Sequence, residues 1–312
     1  MKERLTNLKN VPLLTIALDT FNQWRQDNTE RVAGALAYFS ILSLAPVLLI
    51  MISLLGLVTD QHTIEGEVYQ RLSDMIGPRS ADLVQDMVIG VNESQAGGIA
   101  AFVGMLTLGF GAVRTFAQLQ EALNTIWGVE VKPEEGLVRL LKRRVWAAAM
   151  LPVTGLVVFL ALVIDTALGA ATQFFTDQIP SLGYVWVLQA LSLLVFTTVL
   201  TFLFAVIYRY LPDVDITWED VFTGAAVTAV LFAVGQFLLS IYLARGSISS
   251  TYGAAGTFMV VLLWVYYSAQ IFLFGAEFTQ VFARRRGKHI EPASYAYSVD
   301  KRRRWARFQE IT

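Results

Sequence analysis

Apolar residues run in blocks through this chain, and the blocks predict its elements before any motif is read. Six stretches, residues 33–58, 98–113, 145–170, 184–208, 221–243 and 256–282, are built mainly of Leu, Val, Ile, Ala and Phe. A helix crossing a hydrocarbon core ~30 Å thick takes about 20 residues. Helical form also satisfies the backbone where no water can. Five stretches meet that length. The second lies near the lower limit, so a re-entrant segment competes with a full crossing there. The expected fold class is therefore all-α, a polytopic membrane protein with six transmembrane helices.

Between the blocks the apolar spacing becomes that of amphipathic helices. Over residues 11–30, Leu14, Ile16, Ala17, Phe21 and Trp24 share one side while Asp19, Gln23, Arg25 and Asp27 lie elsewhere, which predicts a helix lying in the membrane interface. This run is broken at Asp19 and lacks a small-residue cleavage site, so it does not read as a signal peptide. Over residues 61–95 two helical groupings appear, Ile64, Val68, Leu72, Met75 and Ile76, then Leu83, Val84, Met87, Val88 and Val91. Gly77 and Pro78 separate them, predicting a helix–turn–helix cap. Phe116, Leu119, Leu123, Ile126 and Trp127 mark another helix ending at Gly128, and a basic one follows over 134–144. The expected organisation is one transmembrane domain over 1–288 and a basic tail over 289–312.

Charge orients this arrangement. All of the chain's 24 Lys and Arg residues except Arg71, Arg79 and Arg245 fall before the first stretch, between the second and third, after the fourth or beyond the sixth. Loops that stay in the cytoplasm keep Lys and Arg, so both termini are expected there, which requires an even number of crossings. The formal net charge of −1 averages this basic face with an acidic one carrying Asp60, Glu65, Glu67, Asp74, Asp82, Asp86 and Glu93.

The absence of cysteine excludes disulfides, thiolate metal sites and cysteine catalysis, and two histidines are too few for a histidine metal site. No cofactor is expected. The helices and their connections leave no room for a separate soluble catalytic domain, so an enzyme is not expected.

Polar groups inside a bilayer are costly and mark functional candidates. Tyr266, Gln270 and Glu277, at i, i+4 and i+11, share one face of the sixth span. Glu277 is only seven residues before Arg284, so an ion pair with Arg114, at the end of the second span, competes with a place on a substrate path. Pro46, after Ser40 and Ser43, permits a kink in the first span. Gly253 and Gly256 lie in the YGAAGT segment opening the sixth, where an unwound hinge competes with a plain tight loop. Beyond that span, Arg284, Arg285 and Arg286, then Arg302, Arg303 and Arg304, are candidates for contact with anionic lipid headgroups. Nucleic acid is not expected as a partner, since topological retention and lipid contact account for the basic tail.

The blocks ALAYFSILSLAPVLL at 35–49, RTFAQLQEALNTIWG at 114–128 and STYGAAGTFMVVLLWVYYSAQIFLFGAEFTQVF at 250–282 resemble the YihY/BrkB family of bacterial inner-membrane proteins. The likeness runs from about Trp24 to Arg286. It implies a multi-pass protein of the inner membrane, from a family linked to serum resistance and suspected in some members of moving lipids or small solutes. It implies no catalytic residues. The old family label of ribonuclease BN finds no metal-ligand spacing here to support it.

The leading expectation is a transporter or flippase-like protein for a lipid or amphipathic solute. The alternatives are a non-transporting structural or assembly factor and, behind it, a membrane-associated ribonuclease. A homo-oligomer is compatible with the sequence, which does not specify substrate, direction or driving ion.

Overall fold

The computed structural model describes residues 13–55, 61–93, 114–132, 154, 157, 183–245, 248–287 and 290–299. The expected second span, nearly all of the third, the basic helix over 134–144 and Arg302, Arg303 and Arg304 lie outside the described residues.

The blocks become helices with identifiable stops. Helix α1 (Leu13–Gln26) is followed by α2 (Thr29–Leu55), and the turn between them is made by Asn28 in the left-handed region at φ 51°, a conformation that Asn tolerates. Helices α3 (Gln61–Ile76) and α4 (Pro78–Glu93) form the expected hairpin. Gly77 at φ 84° ends α3, and Pro78 opens α4, where its missing N–H goes unneeded. Residues 114–127 are helical and stop at Gly128, φ 66°. The long helices α5 (Gly183–Tyr210), α6 (Trp218–Arg245) and α7 (Ile248–Arg285) follow among the described residues.

Three helices among the described residues are long and apolar enough to cross a membrane, over Ala190–Tyr210, Trp218–Leu239 and Ala255–Arg285. They coincide with the expected fourth, fifth and sixth spans. The expected first span lies in α2, 27 residues long and continuous through Pro46. Large side chains on these helices face outward: Leu194 on α5, Phe237 on α6 and Met259 on α7 are 64%, 65% and 61% exposed. Apolar faces of this extent fit a hydrocarbon surrounding.

The bundle core is built on α5, α6 and α7. Gly224 of α6 faces Thr279 of α7, and Gly275 of α7 faces Thr228 of α6. A Cβ added at either glycine would stand 2.7 Å from the opposing threonine Cβ. Two Gly-x-x-x-Thr segments thus interlock reciprocally, small residues allowing close backbone approach. Each threonine hydroxyl donates to the carbonyl of the glycine four residues before it on its own helix, at 2.7 Å. Tyr208 of α5 is fully buried and donates to the Phe272 carbonyl at 2.6 Å, so all three helices meet at one level.

The α3–α4 hairpin caps one end. Ile76 and Val84 pack with Ala37 and Ile41 of α2 and with Val260, Val261 and Val265 of α7. On its outer side Tyr69 donates to Asp82 at 2.7 Å, a bond that raises the phenol above its ordinary pKa.

At the opposite, arginine-bearing end the all-α expectation needs amending, because two short antiparallel pairs appear. Strand β1 (Val129–Val131) pairs with β4 (Ala296–Ser298), and β2 (Val214–Asp215) with β3 (Glu291–Pro292). Residues 290–299, read from sequence as tail, are therefore folded back on the bundle. Asp213 explains why. Its buried carboxylate accepts from Gln120 Nε2 at 3.2 Å, Asn124 Nδ2 at 2.6 Å and the Tyr295 hydroxyl at 3.0 Å. Its backbone N–H donates to Asn124 Oδ1 at 2.8 Å, and its carbonyl accepts from the Ala293 N–H at 3.0 Å. One residue thus ties the 114–127 helix, the α5–α6 turn and the C-terminal segment together.

Candidate functional site

Helices α1, α6 and α7 enclose a cleft of about 350 Å³. Its α6 wall is Leu231, Val234, Gly235 and Leu238, its α7 wall Tyr267, Gln270, Ile271 and Phe274, and α1 supplies Trp24. The α7 residues fall within the Ala255–Arg285 stretch, which is long and apolar enough to cross a membrane. Val234 and Leu238 are 52% and 56% exposed, which places its mouth on the lipid-facing side of α6. Gly235 sets the distance between the two walls, since a Cβ there would come 2.6 Å from Ile271 Cδ1 and 2.9 Å from the Tyr267 ring.

Helix α1 does not lie as the sequence spacing suggests. Ile16 is buried against Phe278 and Val281, Arg285 pairs with Asp19, and Trp24 reaches the cleft. Leu18 and Phe21 point outward, 54% and 48% exposed. The helix therefore leans on the arginine-bearing half of α7 with one face and presents Leu18 and Phe21 on the other. Phe21 stacks on Trp24 with ring centroids 5.7 Å apart, which holds the indole at the cleft.

The predicted polar stripe divides. Gln270 Nε2 donates to the Tyr266 hydroxyl at 2.6 Å, so these two come together, and Gln270 lines the cleft. Glu277, about two turns further on, is fully buried away from it and accepts from Thr29 at 3.4 Å. The considered ion pair with Arg114 does not form: Arg114 is exposed, its guanidinium 5.7 Å from the centroid of the Phe39 ring. Its neighbour Thr115 instead contacts the Ser43 hydroxyl at 2.6 Å, linking the 114–127 helix to α2 just before Pro46.

The YGAAGT segment, with Gly253 and Gly256, is part of α7. It is neither an unwound hinge nor a tight loop, because the helical hydrogen bonding that begins at Ile248 runs straight through it.

Two of the three arginines at the end of α7 have protein partners. Arg285 pairs with Asp19 and donates to the Thr15 carbonyl at 3.4 Å. Arg286 reaches Glu219 at 2.7 Å and the buried Asp220 at 3.4 Å, a setting that raises its guanidinium further above its ordinary pKa, through the Glu219 hydrogen bond first. Asp220 also accepts from Thr217 at 2.6 Å in a cap at the start of α6. Consecutive arginines thus fasten the ends of α1 and α6, two walls of the cleft, to α7. Of the described candidates for headgroup contact, Arg284 is the exposed one with no ion pair shown.

Sequence spacing missed Trp24 as a site residue, because an indole in an amphipathic helix reads as an interface anchor. It also missed Asp213. The available signal was Gln120 and Asn124, four residues apart on the polar side of their helix.

Residues 20–299 match the family model described as virulence factor BrkB. The chain is 27% identical over 253 residues to a UPF0761 membrane protein of Nitrosospira multiformis, covering 80% of this chain and 57% of that protein. A UPF0761 membrane protein of Alcanivorax borkumensis is 27% identical, with 82% and 57% covered. One from Alteromonas mediterranea is 26% identical, with 85% and 88% covered. The chain therefore spans a little over half the length of the first two relatives and most of the third. No solved structure matches it.

Proposed function

The chain belongs to the BrkB family of membrane proteins, and on that premise we propose that it is a non-enzymatic transporter or flippase-like protein for a lipid or amphipathic solute in a bacterial inner membrane. The cleft between α1, α6 and α7 carries this reading. It combines a lipid-side mouth, apolar walls and one amide, Gln270, at a depth where a polar side chain is costly unless it is used. The arginine-bearing end is assigned to the cytoplasm by the cation distribution, with both termini on that side and Arg284 at headgroup level.

The direct test is reconstitution. Protein in liposomes carrying a fluorescent lipid should speed the movement of that lipid between leaflets, read by chemical quenching of the outer leaflet. Gln270→Leu should lower the rate at least tenfold with unchanged insertion. Equal rates in protein-containing and empty liposomes across lipid and amphiphile probes would remove the transport reading.

A further inference from the structure

The cleft holds two buried polar atoms without a hydrogen-bond partner, Trp24 Nε1 and Gln270 Oε1. They come from opposite walls, α1 and α7, and do not bond each other. One is an obligate donor and the other an acceptor. A buried polar group left unpaired is destabilising, and such exceptions in a folded protein call for a reason. Trp127 Nε1, Gln236 Nε2 and Gln280 Oε1 are buried without a partner as well, but Trp24 and Gln270 differ from them in lining one cleft from opposite walls.

A single atom that accepts one hydrogen bond and donates another satisfies both, and a hydroxyl is that group. The lining contains no Lys, Arg, Asp or Glu, so an ionised headgroup would enter a low-dielectric space without a counter-charge, which is strongly unfavourable. At about 350 Å³ the cleft stands near the small end of the ~300–1,000 Å³ range of small-molecule sites. It has room for one hydrocarbon chain segment and a small head.

We propose that this cleft is a binding site for a single-chain amphiphile with an uncharged, hydroxylated head, of the monoacylglycerol or long-chain alcohol class. The Trp24 indole donates to the ligand hydroxyl oxygen, and that hydroxyl donates to the Gln270 side-chain carbonyl. Ile271, Phe274 and Leu238 take the chain, which leaves through the mouth on α6. This assignment rests on the reading of the cleft as the substrate site and names the chemistry it selects.

The test uses the full chain in nanodiscs and a monoacylglycerol bearing a diazirine on its acyl chain, with adducts mapped by mass spectrometry. Labelling is expected on the segments 228–245 and 264–285, with monoolein competing at least fivefold better than its di-O-methyl ether. Trp24→Phe, which keeps the ring and loses the N–H, and Gln270→Leu should each weaken monoolein competition roughly five- to tenfold, as loss of one hydrogen bond allows. Leu238→Trp fills the cleft without touching either polar group and should abolish labelling of both segments, with correct folding verified by a single gel-filtration peak.

Adducts spread over the lipid-facing helices, equal competition by the ether, or unchanged competition in both polar variants would overturn the proposal. Binding with no lipid movement in liposomes would leave this site standing and remove transport. Lipid movement with no selective binding would do the reverse.

Discussion

The Asp213 clasp and the cleft both concentrate polar side chains among apolar ones, and they treat them in opposite ways. Around Asp213 the carboxylate takes three side-chain donors while its backbone N–H and carbonyl are each bonded. In the cleft, Trp24 and Gln270 each leave an atom unpaired. A satisfied network rigidifies and specifies one arrangement, and an unsatisfied one is a standing penalty. The difference assigns the clasp to architecture and the cleft to recognition.

Three sets of substitutions break or sharpen that comparison. Asp213→Ala is expected to do most, since it strands the Gln120, Asn124 and Tyr295 donors inside the protein; about 3 kcal/mol or more of stability should go, read as a large fall in the midpoint of thermal aggregation in detergent. A shift no larger than that of an exposed Asp→Ala control would show that the clasp is not structural. Next, Gly275→Ala drives a methyl into Thr228 and should destabilise by about 1–3 kcal/mol through overpacking. Thr228→Gly added to it should recover part of the loss, and a double variant no better than the single would mean that the reciprocal crossing does not hold the helices together. Smallest in stability are Trp24→Phe, which removes an unpaired N–H and should leave the midpoint unchanged or raise it by the equivalent of up to about 1 kcal/mol, and Gln270→Leu, which loses an unpaired carbonyl together with the bond to Tyr266 and should move it by no more than about 1 kcal/mol in either direction. If either lowers it as Asp213→Ala does, that residue belongs to the architecture and the contrast between the two regions dissolves.

The helices were legible in the sequence because their signals are local. Blocks of apolar residues placed α5 and α6 within three residues at each end, while α7 begins eight residues before its expected span, and Gly77–Pro78 marked the α3–α4 turn, since a left-handed position followed by an imide has few other uses. The pairing of Tyr266 with Gln270 followed from their spacing on one helix. What spacing does not encode is which other element covers a face. Glu277 shares its helical face with Gln270, yet the start of α2 at Thr29 covers one and the cleft opens beside the other. Arg285 and Arg286 read as membrane-seeking from composition, and only the return of Asp19, Glu219 and Asp220 to the same end shows their partners. The strands escaped notice because β1 and β4 are three residues each, too short for an alternation to register, and lie at opposite ends of the sequence interval that they join.

That long interval bears on how the molecule is made. Residues 120–124 and 213 leave the ribosome well before 290–299, so for a period of synthesis the Asp213 side chain has its amide donors but neither Tyr295 nor the β-pairing that covers them. A chain interrupted before residue 290 would carry a complete set of α1–α7 helices and an unfinished basic end. The 290–299 segment, made after α1–α7, thus works as a seal over an end that the earlier elements leave open, and a protease that recognises the open seam would distinguish chains carrying this segment from chains without it.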